Sequence, residues 1–486
     1  MPNVVSVIFF SICSILLGFT LYDIFQHKHS LLRNYPLVAR LRWTFESERD
    51  KIKQYFIESD LDGTPINREK RSIIYQRSKQ QIETIPFGTQ HNVYEKGYEF
   101  VKHSLFPKDH HQIKGDRVVF GSKFCKQKYD ASLINISAMS FGSLSKAAIM
   151  ALNQGAKMGD FAHNTGEGGI SPYHLQGGDL IFQIGTGYFG AGISDKNGRR
   201  IFDADTFKEN ASRPEVKMVE IKLSQGAKPG HGGILPAKKN TPEIAKIRNV
   251  KPFTRIDSPP SHSAFNTFEG MVQFIQNVRT LTSGKPVGIK FCVGNHTEIE
   301  DMIKTFAYEG IYPDFISIDG AEGGTGSAPL EFTNYVGTPL LEGLAFVVQL
   351  LEKYNLRSDI RVIASGKVAD AFDIIKLLAL GADTVNVARS FMLSIGCIQA
   401  RECNTDACPV GVATQNPKLV KGLVVEQKNI RVKNYHNKTI DTLKEIVGAM
   451  GIEDIAVLNS NHVYRRLKND KIYSFKDLYF TEHVFA

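Results

Sequence analysis

The sequence predicts an α/β fold built on a parallel sheet, and two observations carry that expectation. Between about residues 115 and 425, short continuous apolar runs recur, each ending in Gly, Ser, Thr, Asp or Lys. Uninterrupted runs of this length mark strands covered on both faces. The segments between them place apolar residues at helical spacing. Strand–helix alternation over about 300 residues leaves a (β/α)8 barrel or a doubly wound sheet. No G-x-G-x-x-G follows the first strand-like run, which counts against the dinucleotide-binding version of the second. A barrel takes ~250 residues or more as one domain. A chain of 486 residues therefore accommodates one barrel with appendages.

At the front, residues 4–22 form a 19-residue run without a charge. A bilayer core ~30 Å thick is spanned by about 20 apolar residues in a helix. A cleaved signal peptide would carry a basic n-region and a small-residue cleavage site, and this run has neither. A buried core helix is the other reading, for which the run is long. The expectation is a single-pass transmembrane helix. Lys28, Arg33, Arg40 and Arg42 all follow it, which puts the rest of the chain on the cytoplasmic side of the cell membrane. Residues 30–112 are mixed and charged, with helical stretches at 46–57 and 72–84, and read as an N-terminal connector packed on the main domain. Within 115–425 the clearest strand-like runs are 133–140, 216–223, 286–293, 313–319, 360–365 and 382–388, and helices are expected at 270–279, 298–309, 341–353 and 369–380. Residues 426–486 are charged and partly helical, and read as a short C-terminal cap.

Composition narrows the classes further. Lys and Arg number 59 against 50 Asp and Glu, with 42% apolar and 22% charged residues. These fractions exclude wholesale disorder, a collagen-like chain and a polytopic membrane protein. Residues 1–130 hold 20 of the basic and 14 of the acidic side chains, hence most of the net charge of +9. A basic front end fits nucleic acid, an anionic membrane surface or a solvated face. The adjoining apolar run points to the membrane, and no nucleic-acid partner is expected. Six cysteines in so long a chain are too few for a disulfide scaffold.

In a barrel, chemistry collects at the carboxyl ends of the strands. Those ends carry Met139-Ser140, Lys222, Lys290, Asp319, Ser365-Gly366-Lys367 and Arg389. A lysine closing an apolar strand either snorkels to water or needs an anion beside it. Taken as a set, these cations predict a bound phosphate and an electron-rich ring. Gly-rich loops at 164–169, 185–190, 226–233 and 320–326 let backbone approach such a ligand closely. The most specific local signal is Cys397, Cys403 and Cys408, spaced C-x5-C-x4-C with Pro409 after the last. Three thiolates without a neighbouring His suit an iron–sulfur cluster better than zinc, which takes four ligands; three incidental buried thiols are the alternative.

From about Asn34 to beyond Gln415 the sequence resembles the synthase domain of glutamate synthase in its short, stand-alone bacterial form. The motifs that carry this are SAMSFGSLS, NTGEGG, EIKLSQGAKPGHGGILP, EGGTGSAP and GCIQARECNTDACPVGVATQ, in that order. The front segment RNYPLVARLRWTFESERDKIKQYFIESD is similar to the membrane-anchored branch of this FMN-binding family. The resemblance implies a (β/α)8 TIM barrel holding FMN beside a 3Fe–4S cluster, with electrons passing from cluster to flavin to 2-iminoglutarate, formed from 2-oxoglutarate and ammonia. It assigns the cluster to Cys397, Cys403 and Cys408. The flavin falls to Ala138, Met139, Ser140, Gln183, Lys222 and Lys290, with Gly366, Lys367, Ala388 and Arg389 near its phosphate. Glu167 and Lys228 match the family's residues at the substrate end, and Arg248 its carboxylate-binding arginine.

The chain departs from the family's large enzymes in two motifs. GAKPGEGGQLPG reads GAKPGHGGILPA here, so His231 stands for an acid and Ile234 for a Gln, and the phosphate-side DGG reads Ser365-Gly366-Lys367. The chain opens Met1-Pro2 without a nucleophilic Cys, so ammonia is expected free or from a partner. The electron donor is expected to be ferredoxin-like or a reductase subunit. Two other readings share the barrel: the same cofactors acting on an N-alkyl amino acid, and a membrane electron-transfer or regulatory protein that forms no glutamate.

Overall fold

The computed structural model describes residues 3–81, 83–467 and 471–481. They fall into two compact units, divided between Arg68 and Glu69. In the first, the apolar run becomes a 22-residue helix, Val4–Phe25, long and apolar enough to cross a membrane. Its first charge, Asp23, is buried, paired with Arg40, and accepts the Leu37 amide at 3.0 Å. The helix Arg40–Ile52 then runs directly into a π-turn, Lys53–Ile57.

The second unit is built on a closed eight-stranded barrel. Its strands are β1 (Ile134–Ile136), β2 (His163–Asn164), β3 (Leu180–Ile184), β4 (Val216–Lys222), β5 (Val287–Phe291), β6 (Phe315–Asp319), β7 (Arg361–Ser365) and β8 (Thr384–Val387). All neighbours pair in parallel, and β8 closes on β1 with Val385 opposite Ile134. Six strands coincide with the six apolar runs. β2 and β3 are not among those runs: β2 is a two-residue polar strand, and β3 (LIFQI) lies between glycine-rich segments.

Helices Phe268–Leu281, His296–Glu309, Leu340–Lys353 and Ala371–Ala379 occupy the segments whose periodicity predicted them. Thr267, Asn295 and Asp370 cap three of them through side-chain oxygens. After β8 the long helix Val425–Ala449 packs on Lys146–Gly159 and Ala371–Ala379. It completes the helical layer, so that layer extends beyond residue 425 into the segment expected to be a cap. Beyond it, Val463–Arg466 pairs antiparallel with Glu99–Val101 and with Ile472–Ser474.

A hairpin, Arg117–Phe120 against Tyr129–Ser132, precedes β1. Phe120, Tyr129 and Ala131 join Ala162, Ile181, Met218, Phe315 and Ile363 in one apolar cluster toward the amino ends of the strands. Its burial plugs that end of the barrel, which leaves the carboxyl ends to form a site.

Candidate active site

The carboxyl ends of the strands are crowded with buried charge. Inside the barrel, Glu220 of β4 is wholly buried and satisfied by three other strands: Asn164 Nδ2 donates at 2.8 Å, Gln183 Nε2 at 2.6 Å and Ser317 Oγ at 2.5 Å. Gln183 thus spends its amide N–H on Glu220. Above it, Lys222 Nζ lies 3.0 Å from Glu167, and Lys290 Nζ lies 3.4 Å from Asp319. The anions these strand-end lysines demand are therefore supplied within the protein, by Glu167 and Asp319. Burial pushes the Lys290 ammonium down, but Asp319 and Glu220 outweigh it and hold it above its ordinary value. Burial would likewise raise the Glu167 carboxyl; Lys222, Arg248 and Lys228 together hold it below the usual carboxylate range.

Two glycines fix the Glu167 carboxylate. A Cβ on Gly233 would stand 1.9 Å from its Oε1, and one on Gly185 would stand 2.4 Å from its Oε2. These glycines serve the packing of a side chain, a use the motifs alone did not reveal. Arg248 closes the helix Pro242–Arg248 and is buried, with Nη2 3.4 Å from Ser140 Oγ and 3.3 Å from the Phe141 carbonyl. Its guanidinium lies 5.2 Å from the Phe189 ring centroid, and its Nε has no hydrogen-bond partner. Burial lowers it to about 10, against the pull of Glu167. Lys228 is only 1% exposed; its Nζ donates to the Ser327 carbonyl at 2.8 Å, and burial lowers it to about 8.

Met139 and Ser140 follow β1, both buried, with Ala138 half-buried. His174 Nε2 lies 3.2 Å from the Met139 carbonyl while its Nδ1 accepts from Ser171, which fixes the neutral tautomer. His262 bridges Tyr188 Oη at 2.9 Å and the Lys222 carbonyl at 3.0 Å, and burial lowers it to about 4. On the far side, Gly366 and Lys367 follow β7. Ala388 and Arg389 follow β8, with Arg389 Nη2 donating to the Glu322 carbonyl at 3.0 Å.

The three cysteines are free thiols in the loop after the helix Arg389–Ser394. Cys397 Sγ accepts the Gln399 amide at 3.4 Å, and its carbonyl accepts Tyr75 Oη at 2.7 Å. Burial pushes the Cys397 thiol up to about 12 and raises that of Cys403. Gln399, Arg401 and Asp406 all take positive φ, so the loop is bent at three non-glycine positions. Tetrahedral zinc with Zn–S of about 2.3 Å brings its thiolates to about 3.8 Å of one another. The three Sγ atoms do not all lie within 4.8 Å of each other; among the described residues only Asp109, His110 and His111, at the surface, group their ligand atoms so tightly.

One cavity joins these parts. Its lining includes Glu167, Lys228, Gly233, Ile234, Lys239, Ser327 and Cys403. The structure thus brings two of the residues expected at the substrate end and one of the cysteines to a single space. Arg248 meets Ser140, one of the residues expected to line the flavin. Glu220, His262 and Lys239 were not singled out from sequence. A charge inside an apolar strand, as in VKMVEIK, is the signal that marks Glu220.

Residues 78–453 match the family profile described as the conserved region in glutamate synthase. The chain belongs to the glutamate synthase family. Over 93% of both chains it is 36% identical to the glutamate synthase large subunit-like protein YerD of Bacillus subtilis. It is 35% identical to the archaeal glutamate synthase (NADPH) of Methanocaldococcus jannaschii and 34% identical to the archaeal-type enzyme of Thermotoga maritima. In both cases the match covers 68% of this chain and 61% of the relative. As a member of this family the protein is a glutamate synthase-like oxidoreductase, of the class acting on CH–NH2 groups.

Proposed function

We propose that the protein is a membrane-tethered enzyme that converts 2-oxoglutarate and ammonia to L-glutamate, using FMN and a 3Fe–4S cluster. The single observation that carries this reading is the cavity shared by Glu167, Lys228 and Cys403, which supports a dicarboxylate bound next to a cluster. The flavin would rest on Ala138, Met139 and Ser140, with Gln183, Lys222 and Lys290 around its ring and Gly366, Lys367, Ala388 and Arg389 at its phosphate. The buried, unpartnered Nε of Arg248 supports an anionic ligand at this mouth. Cys397, Cys403 and Cys408 would hold the cluster, and the amide donated to Cys397 Sγ suits it. When bound, the cluster would supply one-electron transfer and the flavin hydride transfer to an imine carbon.

The chain's own side chains do the rest. Lys228 and Arg248 neutralise the substrate carboxylates in a buried site where each contact is strong. Glu167, kept ionised by Lys222, accepts the N–H of the incoming ammonia or imine and orients it. Lys290 stays cationic and stabilises negative charge on a reduced ring. The helix Val4–Phe25 would anchor the protein in the cell membrane with the barrel on the cytoplasmic side. A ferredoxin-like protein or a reductase subunit would supply electrons.

A second reading rests on Ile234, Leu235 and Pro236, an apolar wall of the same cavity. Such a wall fits a substrate with an apolar or N-alkyl group, handled by the same cofactors.

Anaerobically purified protein should release FMN on denaturation and carry about three irons per chain. Cys403→Ser should lose the iron and keep the flavin. Colourless, iron-free parent protein would overturn the reading.

A further inference from the structure

Lys239 is a buried cation that the reading above does not use. It is 2% exposed, and its Nζ donates to three main-chain carbonyls: Ser143 at 2.5 Å, Cys403 at 3.2 Å and Ala413 at 3.1 Å. Ser143 belongs to the loop after β1, Cys403 and Ala413 to the cysteine loop and its exit. One ammonium therefore ties the cysteine loop to the mouth of the barrel. The three carbonyls satisfy its hydrogens, yet they carry no net charge to offset its own. Among the described residues no carboxylate lies within 4.0 Å of it. Burying an ion without a counter-charge is costly. Among acidic side chains Asp406 acts on it electrostatically, and Arg248 opposes. Lys239 also lines the cavity that holds Glu167, Lys228 and Cys403.

We propose that Lys239 is a positioning residue that sets the reduction potential of the cluster held by Cys397, Cys403 and Cys408. The proposal rests on the cluster reading given above. Three thiolates give the bound cluster net negative charge, and taking up one electron adds another. A fixed cation held by carbonyls at 2.5 to 3.2 Å stabilises the reduced state more than the oxidised one, and so raises the potential. Because the same ammonium fastens the loop, its position relative to the thiolates does not relax.

The test is a redox titration of the full-length protein, followed by electron paramagnetic resonance of the oxidised cluster, with iron measured on the same samples. Lys239→Gln keeps a hydrogen-bond donor and removes the charge; Lys239→Arg keeps the charge. The expected result is parent-like iron in both, a midpoint shifted to lower potential in Lys239→Gln, and a midpoint near the parent value in Lys239→Arg. An unshifted midpoint in Lys239→Gln overturns the proposal, as does an equal shift in both variants. Should Lys239→Gln lose its iron, Lys239→Arg decides: iron and potential like the parent's uphold the need for charge, and loss in both reduces Lys239 to a structural clasp. Parent protein without iron overturns the cluster reading itself, and this proposal with it.

Discussion

Replacing Lys228 by Met tests the substrate site where it is most sharply defined. The lysine is almost wholly buried, lines the cavity with Glu167, and spends one N–H on the Ser327 carbonyl at 2.8 Å. Methionine fills similar space without charge, so the fold should lose only one hydrogen bond, or about 1 kcal/mol. Glu167 keeps Lys222 at 3.0 Å and its interaction with Arg248, and stays ionised. The penalty should therefore fall on the bound carboxylate. Removing a charge-assisted contact costs ~1.5–3 kcal/mol, or roughly a 10- to 150-fold loss of affinity. Titrating the oxidised protein with 2-oxoglutarate, read by perturbation of the flavin absorbance, gives the Kd directly. The free flavin spectrum should not change between parent and variant. A Kd within twofold of the parent, with the flavin intact, would refute a carboxylate contact at Lys228.

Other predictions follow from the same geometry. Burial lowers Lys228 from 10.5 to about 8, so 2-oxoglutarate should bind best below that pH and progressively more weakly above it; a flat Kd from pH 7 to 9.5 would contradict this. By the same linkage the unfolded chain holds this proton up to 10.5, so Lys228 should make the fold more stable as pH rises from about 8 to 10.5, which denaturant titrations at several pH values will show. Gly233→Ala puts a methyl 1.9 Å from Glu167 Oε1; turnover should drop sharply while FMN is retained, and unimpaired turnover would remove Glu167 from the mechanism. Deleting residues 1–28 should move the protein from the membrane to the soluble fraction with its flavin, as cell fractionation will show.

Much of the fold was legible because a parallel barrel writes its strands as long apolar runs. Six of them appear in that form, and four helices lie where apolar spacing put them. β2 escaped because His163-Asn164 is short and polar, with Asn164 donating to Glu220 instead of joining an apolar core. The helix Val425–Ala449 read as an extension because a polar, 25-residue helix shows little of the apolar stripe it buries. In the site, sequence motifs marked the groups at strand ends. They did not mark the pairings, because partners such as Glu220 and Ser317 lie 97 residues apart. Lys239 was invisible for the same reason, its three carbonyl acceptors coming from loops 96 to 174 residues away.

The most direct test of the account is anaerobic reoxidation of the photoreduced protein by 2-oxo acids with saturating ammonium. The account predicts that 2-oxoglutarate reoxidises the flavin faster than other oxo acids, that L-glutamate accumulates in step, and that neither 2-oxoglutarate nor ammonium suffices alone. Reoxidation by a different oxo acid or an N-alkyl imine, with no glutamate from 2-oxoglutarate, would contradict it.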